Sequence, residues 1–260
     1  MSGDRVEVRV DGAVARVFLA RPDVRNAFDG ATVVALREAV AAAGARDDVR
    51  VIVLGGHGPV FSAGADLEWM RVVSGFTPEE NRRDAGSLAS LFEAIDSSPK
   101  PVVARVQGAA LGGGCGLVAV ADIAVASADA QFGFTEVRLG LVPAVISPFV
   151  LRKIGPSAAR ELFLTGERFG AEKAQAIGLV HRVVPASELD AAVDARVREL
   201  LQAAPGAVAA AKALVREVAG RAPAEVRERT TALIAERRAS AEGQEGLRAF
   251  LEKRKPGWSG

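Results

Sequence analysis

Three short runs constrain this chain most: Val51–Leu54, Val102–Val106 and Ile123–Ala126. The first is apolar without interruption, the signature of a strand covered on both faces. Helical stretches alternate with them. Thr32–Ala43, ending near Gly44, precedes the first run, and Gly113–Ala121 separates the second from the third. Strands and helices in alternation predict an α/β architecture. Upstream, Val6, Val8 and Val10 alternate with charged residues, Asp11-Gly12 follows, and Ala13–Leu19 is apolar except for Arg16. That pattern predicts a β-hairpin, because Asp and Gly tolerate the positive φ of a tight turn. Beyond Ser147 the character turns helical, with stretches at Ser157–Leu164, Ala171–Ile177, Ser187–Ala203, Gly206–Ala219 and Ala224–Arg238, then a helical tail. Ser187 and Asp190 have the spacing of a capping box.

Charge and cysteine content exclude several classes. Thirty-three basic residues against 32 acidic leave a net charge of +1 over 260 residues, so no field favours nucleic acid or an anionic membrane. A single cysteine, Cys115, excludes an internal disulfide and suits a reducing compartment. The start, Met1–Glu7, mixes charges with valines and lacks the apolar core of a secretory signal. The longest uncharged stretch, Val106–Ala121, is too short to span a bilayer. The expectation is a cytoplasmic protein with one main domain and an appendage.

Three segments stand out for chemistry: Phe61-Ser-Ala-Gly-Ala-Asp-Leu, Gly108-Ala-Ala-Leu-Gly-Gly-Gly-Cys-Gly, and Phe132-Gly-Phe-Thr-Glu-Val-Arg-Leu-Gly, which contains Glu136. Glycine-rich turns before helices expose backbone N–H groups and admit a ligand close to the main chain. Two such turns aimed at one oxygen stabilise an oxyanion. Glu136 has apolar neighbours, which tune a carboxylate for proton transfer. On residue types alone a plainer reading stands beside this one: the turns pack helices against strands, and Glu136 is a solvated residue at a helix start. Neither the phosphate-loop nor the dinucleotide fingerprint is present. His57 and His181 lack a metal partner at ligand spacing, so structural roles are expected. Asp122 reads as a backbone partner, and Trp69, Met70 and Phe76 as pocket wall or core. Arg82-Arg83 reads as a solvated face or as a partner for a substrate carboxylate.

In order and spacing these segments resemble the crotonase (enoyl-CoA hydratase/isomerase) superfamily. The resemblance runs from Arg21-Pro-Asp-Val-Arg-Asn-Ala-Phe through Ala63-Gly-Ala-Asp, Gly108–Cys115, Asp122-Ile, Ala130-Gln-Phe-Gly and Glu136–Pro143 to Glu245–Arg254. It implies a spiral of ββα turns over residues 1–200 that binds acyl-CoA and carries catalysis. It also implies a helical region, 201–260, that builds a homotrimer or a hexamer (a dimer of trimers) and closes the CoA site. Glu136 is the implied acid–base, with the N–H groups of Ala65 and Gly113 as the oxyanion hole. Asp23, Val24, Arg25 and Ala27, with Ala63, Asp66 and Leu67, are implied to line the CoA path, while Phe250 and Lys253 reach the CoA of a neighbouring site. No cofactor is implied, since coenzyme A is part of the substrate.

The chain also departs from the family pattern. Typical hydratases carry two glutamates, and the position of the first is Gly116 here, beside the acyl group. The segments at Gly116, Ile146-Ser147-Pro148 and Phe163–Phe169 resemble the bacterial 3-methylglutaconyl-CoA hydratase subgroup of leucine catabolism. The implied reaction interconverts 3-methylglutaconyl-CoA and 3-hydroxy-3-methylglutaryl-CoA. A general short-chain enoyl-CoA hydratase and a Δ3,Δ2-enoyl-CoA isomerase are the alternatives, the latter because one carboxylate suffices to shift a double bond. An RNA-binding or inactive scaffold member of the family is the non-enzymatic alternative, opposed by the neutral charge and by Glu136.

Overall fold

The computed structural model describes residues 5–258, so most of the N-terminal stretch Met1–Glu7 lies outside the described residues. The hairpin forms as expected: β1 (Val6–Asp11) pairs antiparallel with β2 (Val14–Leu19), and Gly12 takes φ +52° at the turn. Then follow α1 (Gly30–Ala45), β3 (Val51–Gly56), α2 (Leu67–Val73), α3 (Pro78–Ser97), β4 (Val102–Val106) and β5 (Ala109–Leu111). Next come α4 (Gly113–Val120), β6 (Ile123–Ser127), β7 (Gln131–Gly133), α5 (Ser147–Thr165), β8 (Arg168–Gly170), α6 (Ala171–Ala176) and β9 (Arg182–Val184). Four helices end the chain: α7 (Leu189–Gln202), α8 (Pro205–Val218), α9 (Pro223–Ala239) and α10 (Ala241–Leu251).

The main sheet has the order β1-β2-β3-β4-β6-β9 and is parallel from β2 onward. A second sheet, β5-β7-β8, runs beside it. The chain alternates between the two, β4 to β5 and β6 to β7, before each return helix, which makes the expected ββα spiral. Period-two alternation divides the core. Ile52 and Leu54 face one apolar cluster with Leu36, Phe92 and Leu117, whereas Val51 and Val53 face another with Val103, Val125 and α7. Every residue of β3 is buried, which is why its sequence shows no polar face. On α7, Leu189, Val193 and Val197 cover that second face, each side chain contributing roughly 1.5–3 kcal/mol on burial.

Several expectations are corrected. The Ser187–Asp190 capping box does not form: Ser187 sits in a 3₁₀ turn after Pro185 and α7 begins at Leu189 with no side-chain cap. Asp190 instead takes the Arg105 guanidinium of β4 (Nε–Oδ1 2.5 Å), an ionic partner stronger than a backbone N–H. The helix expected from Ser157 starts at Ser147 and breaks at Gly155 (φ +74°, ψ 165°), just before Pro156. The long helix α3 had no counterpart in the sequence reading. Thr77 and Glu80 cap it reciprocally, and Leu91, Phe92 and Ile95 bury its inner face. Asp122 does bond backbone, its Oδ2 accepting from Val102 N–H at 2.7 Å. Among the described residues, no helix is long and apolar enough to cross a membrane.

The C-terminal helices are tied to the core by cations. Lys212 of α8 is almost fully buried; its Nζ lies 2.8 Å from Asp122 and reaches the Ile95 and Lys100 carbonyls. Arg50 donates to the carbonyls of Leu201, Ala203 and Trp258.

Candidate active site

Two irregular loops pair to begin the site. Ala63 N–H donates to Arg25 O, Phe28 N–H to Gly64 O and Asp66 N–H to Phe28 O, each at 3.0 Å or less. The loop over residues 21–28 needs two left-handed residues in succession, Arg25 (φ +55°) and Asn26 (φ +54°). Asn26 suits that conformation. Its buried amide also donates to the His57 and Val60 carbonyls and accepts from Arg21 N–H, so three loops share one hub. Arg21 then bridges the caps of two helices. It lies 2.9 Å from Asp66, which caps α2, and 3.2 Å from Asp29, which caps α1, and it donates to Ala27 O.

Ala65 lies between Gly64 and Asp66 and is set against the start of α4. Gly64 has φ +89°, and a Cβ there would fall 2.6 Å from Leu111 O. Only glycine permits that approach. It brings the first glycine segment beside the second, where Gly112 (φ +50°) precedes Gly113 at the α4 N-terminus. Beneath this turn Cys115 accepts from Gly133 N–H and donates to Ala110 O at 2.8 Å, tying α4 to β5 and β7 of the small sheet. Full burial, with Glu136 nearby, pushes its thiol far above the usual range. It is a packing residue and not a nucleophile.

Glu136 opens the 3₁₀ turn Glu136–Leu139, which closes at Gly140 (φ +73°). A Cβ on Gly112 would lie 3.4 Å from Glu136 Oε1, so carboxylate and helix N-terminus are close neighbours. Burial raises the Glu136 carboxyl above its ordinary range. Its Oε2 is buried and has no hydrogen-bond partner among the described residues. Glu136, Ala65 and Gly113 line one cavity of about 360 Å³. Neither Ala65 N–H nor Gly113 N–H donates to a described group. The rest of the wall is mainly apolar, including Phe28, Val33, Met70, Leu88, Val142 and Ile146, with Asp29, Trp69 and Asp84. Free N–H donors at a helix N-terminus and one desolvated carboxylate are the parts needed to hold an oxyanion and move a proton beside it.

The remaining expected residues fall into groups. Asp23, Val24 and Arg25 are exposed and Ala27 is buried, all on the loop that pairs with Ala63. Leu67 is exposed at the start of α2. Asp66 does not offer a free carboxylate to a ligand path: it is buried, accepts from Glu68 and Trp69 N–H, and pairs with Arg21. Gly116 is not at the cavity surface. It lies behind the wall, where a Cβ would meet Ile146 Cγ2 at 2.4 Å and the Phe92 ring at 2.9 Å. Ile146 and Phe92 therefore fill the space into which a side chain at 116 would project. Phe250 and Lys253 are exposed at the end of α10 and do not line this cavity. Trp69 and Met70 do, and Phe76 packs edge-on against Trp69 with centroids 5.8 Å apart. His57 pairs with Glu7 at 2.9 Å, and His181 Nδ1 accepts from Ala124 N–H.

Asp84 and Leu88 of α3 were not singled out in the sequence. The capping signal Thr77-Pro-Glu-Glu, with Leu88, Leu91, Phe92 and Ile95 at helical spacing, would have placed them on one helix. Another cavity, about 500 Å³, lies among α4, α5 and α8. Its cations are already satisfied: Arg152 by Asp96, Lys153 by Ala121 O, Lys212 by Asp122 and Arg216 by Asp96 O.

Comparison with known proteins agrees with this geometry. The family model described as enoyl-CoA hydratase/isomerase matches residues 9–260. An enoyl-CoA hydratase structure from Shewanella pealeana superposes with a TM-score of 0.95 at 40% identity, covering 98% of this chain and 96% of that one. AtuE of Pseudomonas aeruginosa superposes with a TM-score of 0.95 at 39% identity, covering 98% and 100%. The zebrafish (Danio rerio) mitochondrial enoyl-CoA hydratase domain-containing protein 3 is 31% identical over 262 residues, covering 100% of this chain and 90% of its own. With a match along almost its whole length, the chain belongs to the enoyl-CoA hydratase/isomerase family, the crotonase superfamily.

Proposed function

We propose that this protein is a hydro-lyase that adds water to, and removes it from, the double bond of an enoyl-CoA thioester, with Glu136 as its acid–base. One observation carries the reading. The unpartnered, half-buried carboxyl of Glu136 shares a small apolar cavity with the free N–H groups of Ala65 and Gly113. In hydration, Glu136 takes a proton from water as the water oxygen bonds to C3. The electron pair moves through C2 to the thioester oxygen, which the two N–H groups hold. Glu136 then returns the proton to C2 and the thioester carbonyl re-forms. Dehydration is the reverse. Each oxyanion donor is worth roughly 10²- to 10³-fold in rate.

The rim formed by Asp23, Val24, Arg25, Ala27, Ala63 and Leu67 carries the CoA moiety, with Asp66 as the buried anchor of that loop. The helices from residue 201 onward mediate a homotrimer or hexamer, and the exposed Leu247, Phe250 and Leu251 of α10 supply apolar surface for it. Lys253 extends the same end toward a neighbouring CoA. No cofactor is needed beyond the CoA of the substrate.

A 3-methylglutaconyl substrate has the subgroup resemblance in its favour. Among the described residues the cavity offers its carboxylate no partner, because no Lys or Arg lines it, and Arg82 and Arg83 are exposed on α3. We therefore favour an uncharged enoyl chain. The test is to incubate the protein with crotonyl-, 3-hexenoyl- and 3-methylglutaconyl-CoA and resolve products by mass. Gain of water on crotonyl-CoA is expected. Its loss by about 10² to 10⁴-fold in Glu136→Gln, with CoA binding retained, is the second expected result. Near-normal turnover in that variant refutes the mechanism, and a shifted double bond without hydration identifies an isomerase.

A further inference from the structure

We propose that Asp84 sets the acyl specificity of this cavity by excluding thioesters whose acyl group ends in a second carboxylate. The inference rests on the acyl-CoA reading above and narrows its substrate class to uncharged acyl chains.

The cavity holds three carboxyl groups, and they are not equivalent. Asp29 is neutralised by Arg5 and Arg21. Glu136 is accounted for by the chemistry. Asp84, on the second turn of α3, is half-buried and lines the same wall as Trp69 and Leu88. It shares that wall with the Trp69 side chain, and among the described residues it forms no ion pair. Burial raises its carboxyl above the ordinary range. A half-desolvated, unpaired carboxylate is costly to keep in an apolar wall. Its effect on a ligand is direct: in a space of about 360 Å³, any second carboxylate lies within roughly one Debye length of it. Among the described residues, no lining cation offsets the repulsion. An acyl chain ending in a methyl group meets no such penalty. Discrimination by a misplaced charge is the usual way a site rejects a near-isosteric ligand.

The experiment compares valeryl-CoA with glutaryl-CoA, which differ by a terminal methyl against a carboxylate and undergo no turnover. Their Kd values are measured by calorimetry on the wild type, Asp84→Asn and Asp84→Glu. The wild type is expected to bind valeryl-CoA at least tenfold more tightly than glutaryl-CoA. Asp84→Asn is expected to narrow that ratio at least fivefold, while Asp84→Glu preserves the preference. A ratio taken within one preparation does not depend on the fraction that folds. Equal binding of the two thioesters by the wild type overturns the proposal, as does a ratio unchanged in Asp84→Asn. Failure of both thioesters to bind overturns the acyl-CoA reading itself, a result separate from loss of selectivity. A parallel kcat/KM comparison of crotonyl-CoA with glutaconyl-CoA is expected to shift in the same sense. A variant that loses crotonyl-CoA turnover with its selectivity intact would place Asp84 in the chemistry instead, and would overturn the specificity role.

Discussion

Replacing Gly116 with alanine tests whether Ile146 and Phe92 occupy the place of a second catalytic carboxylate. In an exposed helix this change would stabilise by roughly 1 kcal/mol, because glycine is the poorer helix former. Gly116 has no left-handed φ to relieve or violate. The added methyl, however, would stand 2.4 Å from Ile146 Cγ2 and 2.9 Å from two Phe92 ring carbons. Ordinary carbon contacts are about 3.5–4.0 Å. Ile146 is 3% exposed and Phe92 not at all, so neither swings away freely. Overpacking of this kind costs typically 1–3 kcal/mol, and with two rigid neighbours we take the upper half. Strain therefore outweighs propensity, for a net loss of about 1–2 kcal/mol. In a chain of this size that is a fall in Tm of roughly 2–8 °C. Thermal denaturation followed by circular dichroism measures it. The same methyl introduced beside Ile146→Ala should cost less, with a coupling of about 1 kcal/mol. A Gly116→Ala protein that melts at or above the wild type refutes the packing argument, and with it the account of why position 116 carries no side chain.

Other perturbations follow from the same structure. The Glu136 carboxyl is raised in the folded state, so it favours folding below its unfolded value and that contribution is lost as pH rises through the folded value. Glu136→Gln should melt higher than the wild type above pH 7, with the gap closing as pH falls toward 4. Because catalysis needs the ionised base, the acidic limb of kcat/KM should fall through a value above the ordinary glutamate range, and a limb at the ordinary value contradicts the burial argument. Arg21→Ala leaves the buried Asp66 unpaired and should cost about 3 kcal/mol. It should also lower kcat by moving Ala65, and Arg21→Lys should restore the charge but not the two-way fork. Lys212→Ala removes the partner of Asp122 and should cost on the order of 3 kcal/mol. Limited proteolysis should then cut more readily between α7 and α8, and unchanged protection would show that α8 does not depend on this ion pair.

What the sequence revealed depended on how local each signal was. The apolar run of β3 was legible because burial on both faces removes polar residues from the run itself, whereas β4 keeps Arg105 for its ion pair with Asp190. Glu136 was legible because it stands as a lone carboxylate in an apolar, glycine-containing stretch of the chain. The three-residue strands β5, β7 and β8 carry no pattern of their own and exist through pairing with distant segments. Asp190 was misread as a cap because its partner, Arg105, comes from β4. Gly116 was assigned to the acyl group because nothing local shows that Ile146 and Phe92 lie against it. Asp84 was missed with the whole of α3, although its capping signal was present.

The proposed oxyanion pair shows how a site can be built from loops and yet be precise. Its two donors lie on separate segments, one before α2 and one at the start of α4. Neither segment has a regular ladder to hold the other. Their spacing is set instead by the backbone approach of Gly64 to Leu111 O, and by Ser62 N–H and Leu111 N–H bonding Ala109 O and Ser62 O. Asn26 and Arg21 hold the 21–28 loop to His57, Val60, Asp29 and Asp66 by four polar contacts or ion pairs, and to itself by two more. A donor displaced by about 1 Å loses much of its value to an oxyanion. In the proposed mechanism the polar groups at 21, 26 and 66 therefore act by fixing Ala65. The same division is visible along Arg21–Phe28, where an exposed block, Pro22–Arg25, is followed by a buried one, Asn26–Phe28, committed to the loop.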